Sequence, residues 1–269
     1  DDYGYGPMGK HGHPWIKTPN LDVLHEQSTR FERFLVSPTC SPTRAALMSG
    51  RHPMKNGITH TILERERRAL STVTLPQVLS KAGYISGIFG KWHLGDAPEF
   101  FPTRHGFDYW YGIPYSNDMQ YAGRPGVEDL FELQQEGKNA ELRAIFADFL
   151  KSFEAPDYSD YHVPLWRSEC TAQGCTDQLL EQPTVQTTLT ARLTKEAVRF
   201  VTTQADRPFF LYLPYTMPHL PIFADEAFQG KSLAGPYGDT IEEIDWSVGE
   251  IIKALETAGL DDNTLDFFS

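Results

Sequence analysis

The sequence contains four short polar groups whose nucleophilic, charged or titratable side chains could do chemistry. They are Asp1-Asp2 at the start, Cys40 to Arg44 after FLVSPT, GKWHLG after ISGIF, and MPHLP after PFFLYLPYT. The last three follow apolar runs that are typical of strands. Polar residues that follow the strands of a parallel α/β sheet meet at one edge, where such proteins keep their pockets. We therefore expect the four groups to form one site.

Cys40 opens the segment CSPTRAALMSGR, which has the character of a helix start. Pro42 suits a first helical turn, and the small and apolar residues after Arg44 continue the helix. The side chain of Cys40 would face the positive end of the helix dipole, which favours an anionic nucleophile or an anionic ligand. Arg44, one turn later, would hold that side chain or an oxyanion. A buried structural cysteine near a helix start is the alternative interpretation.

The segment GKWHLG places Lys91 and His93 two residues apart, so in an extended strand end both side chains point the same way. A cation beside an imidazole suits an anionic group and a proton transfer. His219, between Pro218 and Leu220, is a second imidazole on a rigid loop. On its own, His219 also fits a structural role.

Asp1 and Asp2 are adjacent carboxylates followed by the flexible segment YGYG. Such a pair at a strand end is a common arrangement for a hard divalent cation, which prefers oxygen ligands. Solvated aspartates at a terminus are the alternative.

Alternating helix and strand patterns predict a mostly parallel α/β sheet sandwiched by helices. The predicted helices are TPNLDVLHEQSTRF, TLPQVLSKAGY, TTLTARLTKEAVRFVTTQ and GDTIEEIDWSVGEIIKALETAGL, and the predicted strands include ISGIF, PFFLYLPY and TLDFFS. Between about residues 96 and 180 the sequence is rich in Pro, Gly and aromatic residues. We expect long loops there, forming an insertion over one edge of the sheet.

The composition excludes some classes of partner. The net charge of -12 argues against a nucleic-acid binder, which would concentrate Lys and Arg on one face. No window approaches the ~18 apolar residues of a membrane-spanning helix. Cys170 and Cys175 lie in the polar segment SECTAQGCTD and could form a short-loop disulfide in an oxidising compartment; three unrelated thiols are the alternative.

Together and in this order, the four groups resemble the type I sulfatases, a branch of the alkaline phosphatase-like superfamily. The specific part is C-x-P-x-R, formed by Cys40 to Arg44, with Gly50-Arg51 downstream. Support comes from DDYGYG at the start, KWHLG at 91–95, GIPYSND at 112–118 and the loop around His219. The resemblance covers nearly the whole chain, and the sequence as a whole is similar to arylsulfatase A-like members. Thr43 stands where many members have Ser.

The resemblance implies an enzyme that hydrolyses an aryl or carbohydrate sulfate monoester. In that family the motif cysteine is oxidised after translation to formylglycine. Its hydrated aldehyde attacks sulfur in line, and collapse of the sulfated hemiacetal releases sulfate. Cys40 would then be the precursor of the nucleophile. A phosphate or phosphonate ester hydrolase of the same superfamily and an inactive sulfate-binding domain are the alternatives.

The resemblance also implies a role for each site residue. Asp1 and Asp2 would be ligands of Ca²⁺, or of Mg²⁺ as an alternative, and matured Cys40 would contact the metal as well. Arg44 would hold the hydrate.

The other polar groups receive roles in the same way. Lys91 would bind the sulfate and the hydrate, and His93 would take a proton from the second hydroxyl. His219 would contact the sulfate or protonate the leaving oxygen. Ser116 matches a family serine that orients His93.

The family implies a sulfate ester substrate and a formylglycine-generating maturation enzyme as partners. The charge and the hydropathy of the sequence argue against nucleic acid and membrane as partners. It places the protein outside the cytoplasm, in a periplasmic, secreted or lysosomal location. Family members continue beyond NTLDFFS into a turn with two more metal ligands and then a lysine. We therefore expect residues 1–269 to be a partial N-terminal catalytic domain, truncated at both ends.

Overall fold

The computed structural model describes residues 3–64, 69–123 and 125–269, apart from the side chain of residue 127. The longer helices are α1 (Pro19–Gln27), α2 (Cys40–Ser49), α3 (Pro53–Asn56), α4 (Leu75–Ser80), α5 (Val127–Gln135), α6 (Asn139–Lys151), α7 (Leu189–Thr203) and α8 (Gly235–Ala258). The strands are β1 (Ile85–Phe89), β2 (Tyr109–Gly112), β3 (Leu165–Thr171), β4 (Gly174–Glu181) and β5 (Phe209–Tyr212).

The strands form one mixed sheet in the order β4-β3-β2-β1-β5. Strand β1 lies between β2 and β5 and pairs in parallel with both, so that Gly87 lies opposite both Tyr109 and Leu211. Strand β3 runs antiparallel to β2, and β4 runs antiparallel to β3. The predicted helix-covered α/β sheet is confirmed, with its parallel part confined to the three strands that end near the predicted site.

Helices cover both faces of the sheet because β1 alternates its side chains between two cores. Phe89 packs in a cluster with Phe200 of α7 and Ile244 of α8. Ile88 packs on the other face with Met48 of α2 and with aromatic and aliphatic residues from the loops. The sheet is therefore the middle of three layers, and β1 is buried along its whole length.

Several predicted elements are confirmed closely. The run ISGIF is β1 itself, α7 falls within the first long amphipathic segment, and α8 begins at Gly235, three residues before the second, which starts at Gly238. Helix α4 begins after Thr74, whose backbone N–H donates to the side chain of Gln77 at 3.0 Å in a capping box. Helix α8 ends at Gly259, which adopts a left-handed backbone with φ of 66°.

The prediction of long loops between about 96 and 180 is wrong. This stretch contains β2, α5, α6 and the β3–β4 hairpin, which extends the sheet on the side of β2. Most side chains of β4 are exposed or half-buried, so the hairpin lacks the continuous apolar run that marks a buried strand. Cys170 and Cys175 lie opposite each other across the hairpin and form a disulfide, which confirms that pairing and leaves Cys40 as the free cysteine.

The predicted strand TLDFFS is also wrong. Residues 264–269 have no strand structure, and Leu265 and Phe267 are 78% and 79% exposed. A strand needs a partner for its backbone groups, and in the described part of the chain no strand pairs with this segment. In the same described part, no helix is long and apolar enough to cross a membrane.

Candidate active site

The start of α2 presents Cys40 at the positive end of a helix. Thr39 is the N-cap with an extended backbone, and Cys40 is the first helical residue. The thiol is half-buried, and its Sγ lies 3.9 Å from Oγ1 of Thr61. The N–H groups of a first helical turn have no partner within the helix, so this position favours a negatively charged atom.

Arg44 ties α2 to the segment that follows β1. Its side chain is 4% exposed, and its guanidinium donates to the main-chain carbonyl of Lys91. The same segment is held on its other sides by backbone hydrogen bonds, from Lys91 to Pro214 at 2.9 Å and from His93 to Pro114 at 2.9 Å. The ends of β1, β2 and β5 therefore converge on the start of α2; of these three strands, the sequence predicts β1 and β5.

Lys91, Ser116 and His219 form one hydrogen-bonded chain. Lys91 is fully buried, and its Nζ donates to Oγ of Ser116 at 3.1 Å. The same hydroxyl lies 3.2 Å from Nε2 of His219. Nδ1 of His219 lies 2.6 Å from the carbonyl of Leu220, which can only accept, so Nδ1 carries the hydrogen and Nε2 accepts from Ser116. Positive charge on Lys91 is thus linked to an imidazole through one hydroxyl.

The loop that carries His219 is held from below by Asn117. This residue is fully buried, and its Nδ2 donates to the carbonyl of Pro221 at 2.9 Å. Gln186 in turn donates to the carbonyl of Asn117 at 3.1 Å. Sequence reasoning missed both residues, although Asn117 stands next to Ser116 in GIPYSND and could have been singled out for that reason.

His93 is 1% exposed and adopts a left-handed backbone with φ of 61°, which is uncommon for a residue other than glycine. Its Nε2 lies 2.8 Å from the carbonyl of Ile62. Burial, and next the charge of Lys91, hold the pKa of His93 well below its ordinary value, and Arg44 and His219 act in the same direction. The imidazole is therefore neutral at neutral pH and can accept a proton.

A model of the sulfatase family matches residues 1–269, the whole of the sequence. The chain belongs to the sulfatase family. It is 35% identical over 285 residues to N-acetylgalactosamine-6-sulfatase of Mus musculus, covering 100% of this chain and 48% of that protein. It is 37% identical over 278 residues to arylsulfatase A of Bos taurus, covering 100% of this chain and 50% of that protein.

A solved structure has a similar fold. The PsFucS1 sulfatase from Pseudoalteromonas sp. superposes with a TM-score of 0.71 at 25% identity, covering 94% of this chain and 49% of that one. This sulfatase chain spans about half the length of the curated relatives it matches.

The sulfatase site differs in one contact from the expectation for Ser116. The hydroxyl of Ser116 accepts a hydrogen bond from Lys91 and donates one to His219, whereas the Nε2 of His93 contacts Ile62. Among the described residues, no hydrogen bond joins Ser116 to His93. Ser116 lies beyond the turn that follows β2, close to the His219 loop. This position explains why it forms hydrogen bonds with His219 and Lys91.

The predicted metal ligands of the sulfatase site stay predictions. Asp1 and Asp2 lie outside the described residues, and within residues 3–64, 69–123 and 125–269 no three His, Cys, Asp or Glu side chains cluster so as to hold a metal. Two carboxylates and an oxidised Cys40 have the oxygen chemistry that calcium prefers. They supply only part of the roughly six to eight ligands that calcium takes.

Proposed function

We propose that the protein containing this chain hydrolyses the sulfate monoester of an aromatic alcohol or a carbohydrate. The observation that carries the proposal is the hydrogen-bonded chain of buried Lys91, buried Ser116 and half-buried His219 next to a neutral His93. Attack on a sulfate ester needs preorganised positive donors for the oxygens and a separate proton acceptor, and this arrangement supplies both.

We infer that Cys40 is the precursor of the nucleophile. Oxidation to formylglycine by a maturation enzyme would supply a hydrated aldehyde at this position, with a hydroxyl to attack sulfur. The first turn of α2 would favour the developing negative charge there. Arg44, which is anchored on the carbonyl of Lys91, would hold the hydrate.

The remaining residues would stabilise negative charge or transfer protons. Lys91 would bind the sulfate oxygens, because it brings a full positive charge into a buried site where it is poorly screened. His219 would contact the sulfate, or would protonate the leaving oxygen from Nε2 in its imidazolium form, in which both ring nitrogens carry hydrogen. His93 would accept the proton whose loss lets sulfate depart, because its low pKa keeps the imidazole neutral.

A divalent cation completes the proposal. Ca²⁺, or Mg²⁺ as the alternative, would be held by Asp1, Asp2 and the oxidised side chain of Cys40, and when bound it would neutralise charge on a sulfate oxygen. The disulfide between Cys170 and Cys175 supports a location outside the cytoplasm, where such bonds persist.

The substrate class rests on the relatives. The names N-acetylgalactosamine-6-sulfatase and arylsulfatase A favour a carbohydrate or an aryl sulfate. Sulfate and phosphate esters have nearly the same shape, so the choice between them depends on the total charge of the site.

The test compares matched aryl esters. Full-length protein, made together with a maturation enzyme and supplied with calcium, is assayed on para-nitrophenyl sulfate and para-nitrophenyl phosphate. We expect faster turnover of the sulfate ester, and a loss of at least about a thousandfold in Cys40→Ala, because a nucleophile is removed. Ser80→Ala, at an exposed serine of α4, is the control.

Two outcomes would overturn the proposal. Faster turnover of the phosphate ester would favour the phosphate or phosphonate hydrolase. Binding of the sulfate ester without turnover, by protein in which Cys40 is oxidised, would favour an inactive binding domain.

A further inference from the structure

A short loop segment connects the start of α2 to His93. The hydroxyl of Ser41, which is fully buried, accepts a hydrogen bond from the backbone N–H of Ile62 at 3.1 Å. The carbonyl of the same Ile62 lies 2.8 Å from Nε2 of His93. Thr61, one residue earlier, lies beside Sγ of Cys40 at 3.9 Å. Residues 61 and 62 therefore touch both the predicted nucleophile and the predicted base.

The contact with Ile62 determines which nitrogen of His93 can accept a proton. A carbonyl oxygen accepts hydrogen bonds and cannot donate, so Nε2 of the neutral imidazole carries the hydrogen. The lone pair then lies on Nδ1. This nitrogen is buried and has no hydrogen-bond partner in the described part of the chain. Nδ1 is thus the atom of His93 that is available as a base.

We propose that Ser41 is a positioning residue for His93, acting through the peptide group of Ile62. The inference rests on the proposed function, in which His93 accepts a proton. Ser41 follows Cys40 directly in α2, so one dipeptide carries the nucleophile and anchors the support of the base. The distance between the two groups is then fixed by two hydrogen bonds and does not depend on a flexible side chain.

The backbone of His93 makes this support necessary. Its φ of 61° places the ring on a left-handed residue, and its N–H is already used by the carbonyl of Pro114. On the ring itself, the hydrogen bond to Ile62 is the contact that sets both its direction and its tautomer. Loss of the Ser41 hydroxyl would release the N–H of Ile62 and allow its carbonyl to turn.

The test measures kcat and KM for para-nitrophenyl sulfate in full-length Ser41→Ala and Ser41→Thr, per mole of formylglycine determined by mass spectrometry. We expect kcat of Ser41→Ala to fall about tenfold to a hundredfold, because a misplaced base loses most of its effect. KM should change little, because Lys91 and His219 are untouched. Ser41→Thr keeps a hydroxyl and should restore most of kcat, and Ser80→Ala is again the control.

A second readout does not depend on turnover. Histidine-selective nitrogen NMR reports the tautomer of His93, and we expect the Nε2–H form in the wild type and a mixture in Ser41→Ala. Ser41→Cys, with a weak sulfur acceptor of similar size, replaces Ser41→Ala if the latter does not fold.

The outcomes separate the two proposals. Wild-type kcat and an unchanged tautomer in Ser41→Ala would overturn the role of Ser41 and leave the proposed function intact. An oxidised wild type without turnover would overturn the proposed function, and the tautomer spectra would still decide whether Ser41 positions His93. Equal losses in Ser41→Ala and Ser41→Thr would also count against the hydroxyl.

Discussion

Lys91, His93 and Glu243 are ionisable residues that the fold buries almost completely, with exposed fractions of 0%, 1% and 1%. The surroundings of the three side chains differ in their effect on charge and hydrogen bonding. Lys91 donates to Ser116, and His93 is held neutral. Burial raises the pKa of Glu243 to about 7, although a hydrogen bond from the backbone N–H of Asp225 to its carboxylate acts in the opposite direction. Residue type and spacing predicted the first two as site residues, whereas nothing in the sequence around Glu243 marks it as buried.

The raised pKa of Glu243 makes stability depend on pH. Between its ordinary value of 4.5 and about 7, the folded protein keeps the proton that the unfolded chain has lost. The free energy of unfolding therefore falls as pH rises through this window and is constant beyond it. A rise of this size corresponds to about 3 kcal/mol at most.

Glu243→Gln removes this titration. We expect the wild type to lose up to about 3 kcal/mol relative to Glu243→Gln between pH 4.5 and 7, measured by urea unfolding of both proteins across that range. His105, whose pKa is lowered to about 4 by burial, affects both proteins equally and cancels in the difference. Parallel curves for the two proteins would contradict the assignment.

At the scale of elements, a close contact between the ends of β1 and β2 directs Lys91 into the site. Gly112 is the last residue of β2, and a Cβ placed there would lie 1.8 Å from the carbonyl oxygen of Gly90. Gly90 itself has φ of 140°, a backbone that other residues rarely adopt. Lys91 follows at once, so the direction of its side chain depends on this contact.

Gly112→Ala should therefore destabilise the fold by about 3 kcal/mol or more, since the clash is with backbone and not with a movable side chain. Urea or thermal unfolding measures the loss. Gly6→Ala is the matched control, because a Cβ at that position meets nothing within 4 Å. Equal stability of the two variants would mean that β1 and β2 are not held as closely as described.

The elements that the sequence predicts well are those with a complete apolar signal. Strand β1 is buried along its whole length, and α7 and α8 bury one continuous face each. The β3–β4 hairpin is exposed along much of its length, and TLDFFS has apolar residues without a neighbouring strand. Both wrong predictions, for the hairpin and for TLDFFS, have the same cause. A local sequence pattern does not reveal which segments the fold buries.

The parts of the site that consist of side chains could be predicted from the sequence. The groups around Lys91 and His219 follow β1 and β5, as the order of motifs indicates. The run FLVSP before Cys40 is not a strand, and Cys40 is placed by the start of α2. The support of His93 was not predictable, because Ile62 acts through its main chain and leaves no trace in residue type. The partners of Ser116 depend on where two loops meet, which spacing alone does not specify.

At the scale of the whole molecule, a strongly acidic chain encloses a small positive site. The net charge is -12, whereas Arg44 and Lys91 lie buried together beside the start of α2. Anion binding would therefore depend on local donors and not on the field of the protein as a whole. The chain spans about half the length of its curated relatives, so the activity is proposed for the full-length protein.

If Cys40 is the precursor of the nucleophile, its side chain must be converted to formylglycine, and mass spectrometry can detect this conversion. Full-length protein is made together with a formylglycine-generating enzyme, and the peptide containing Cys40 is analysed by mass spectrometry beside a C-x-P-x-R control peptide. We expect the mass of an aldehyde in place of the thiol in both. An unmodified thiol at Cys40, with the control peptide converted, would contradict this expectation, and the proposed roles of Lys91, His93 and His219 would fall with it.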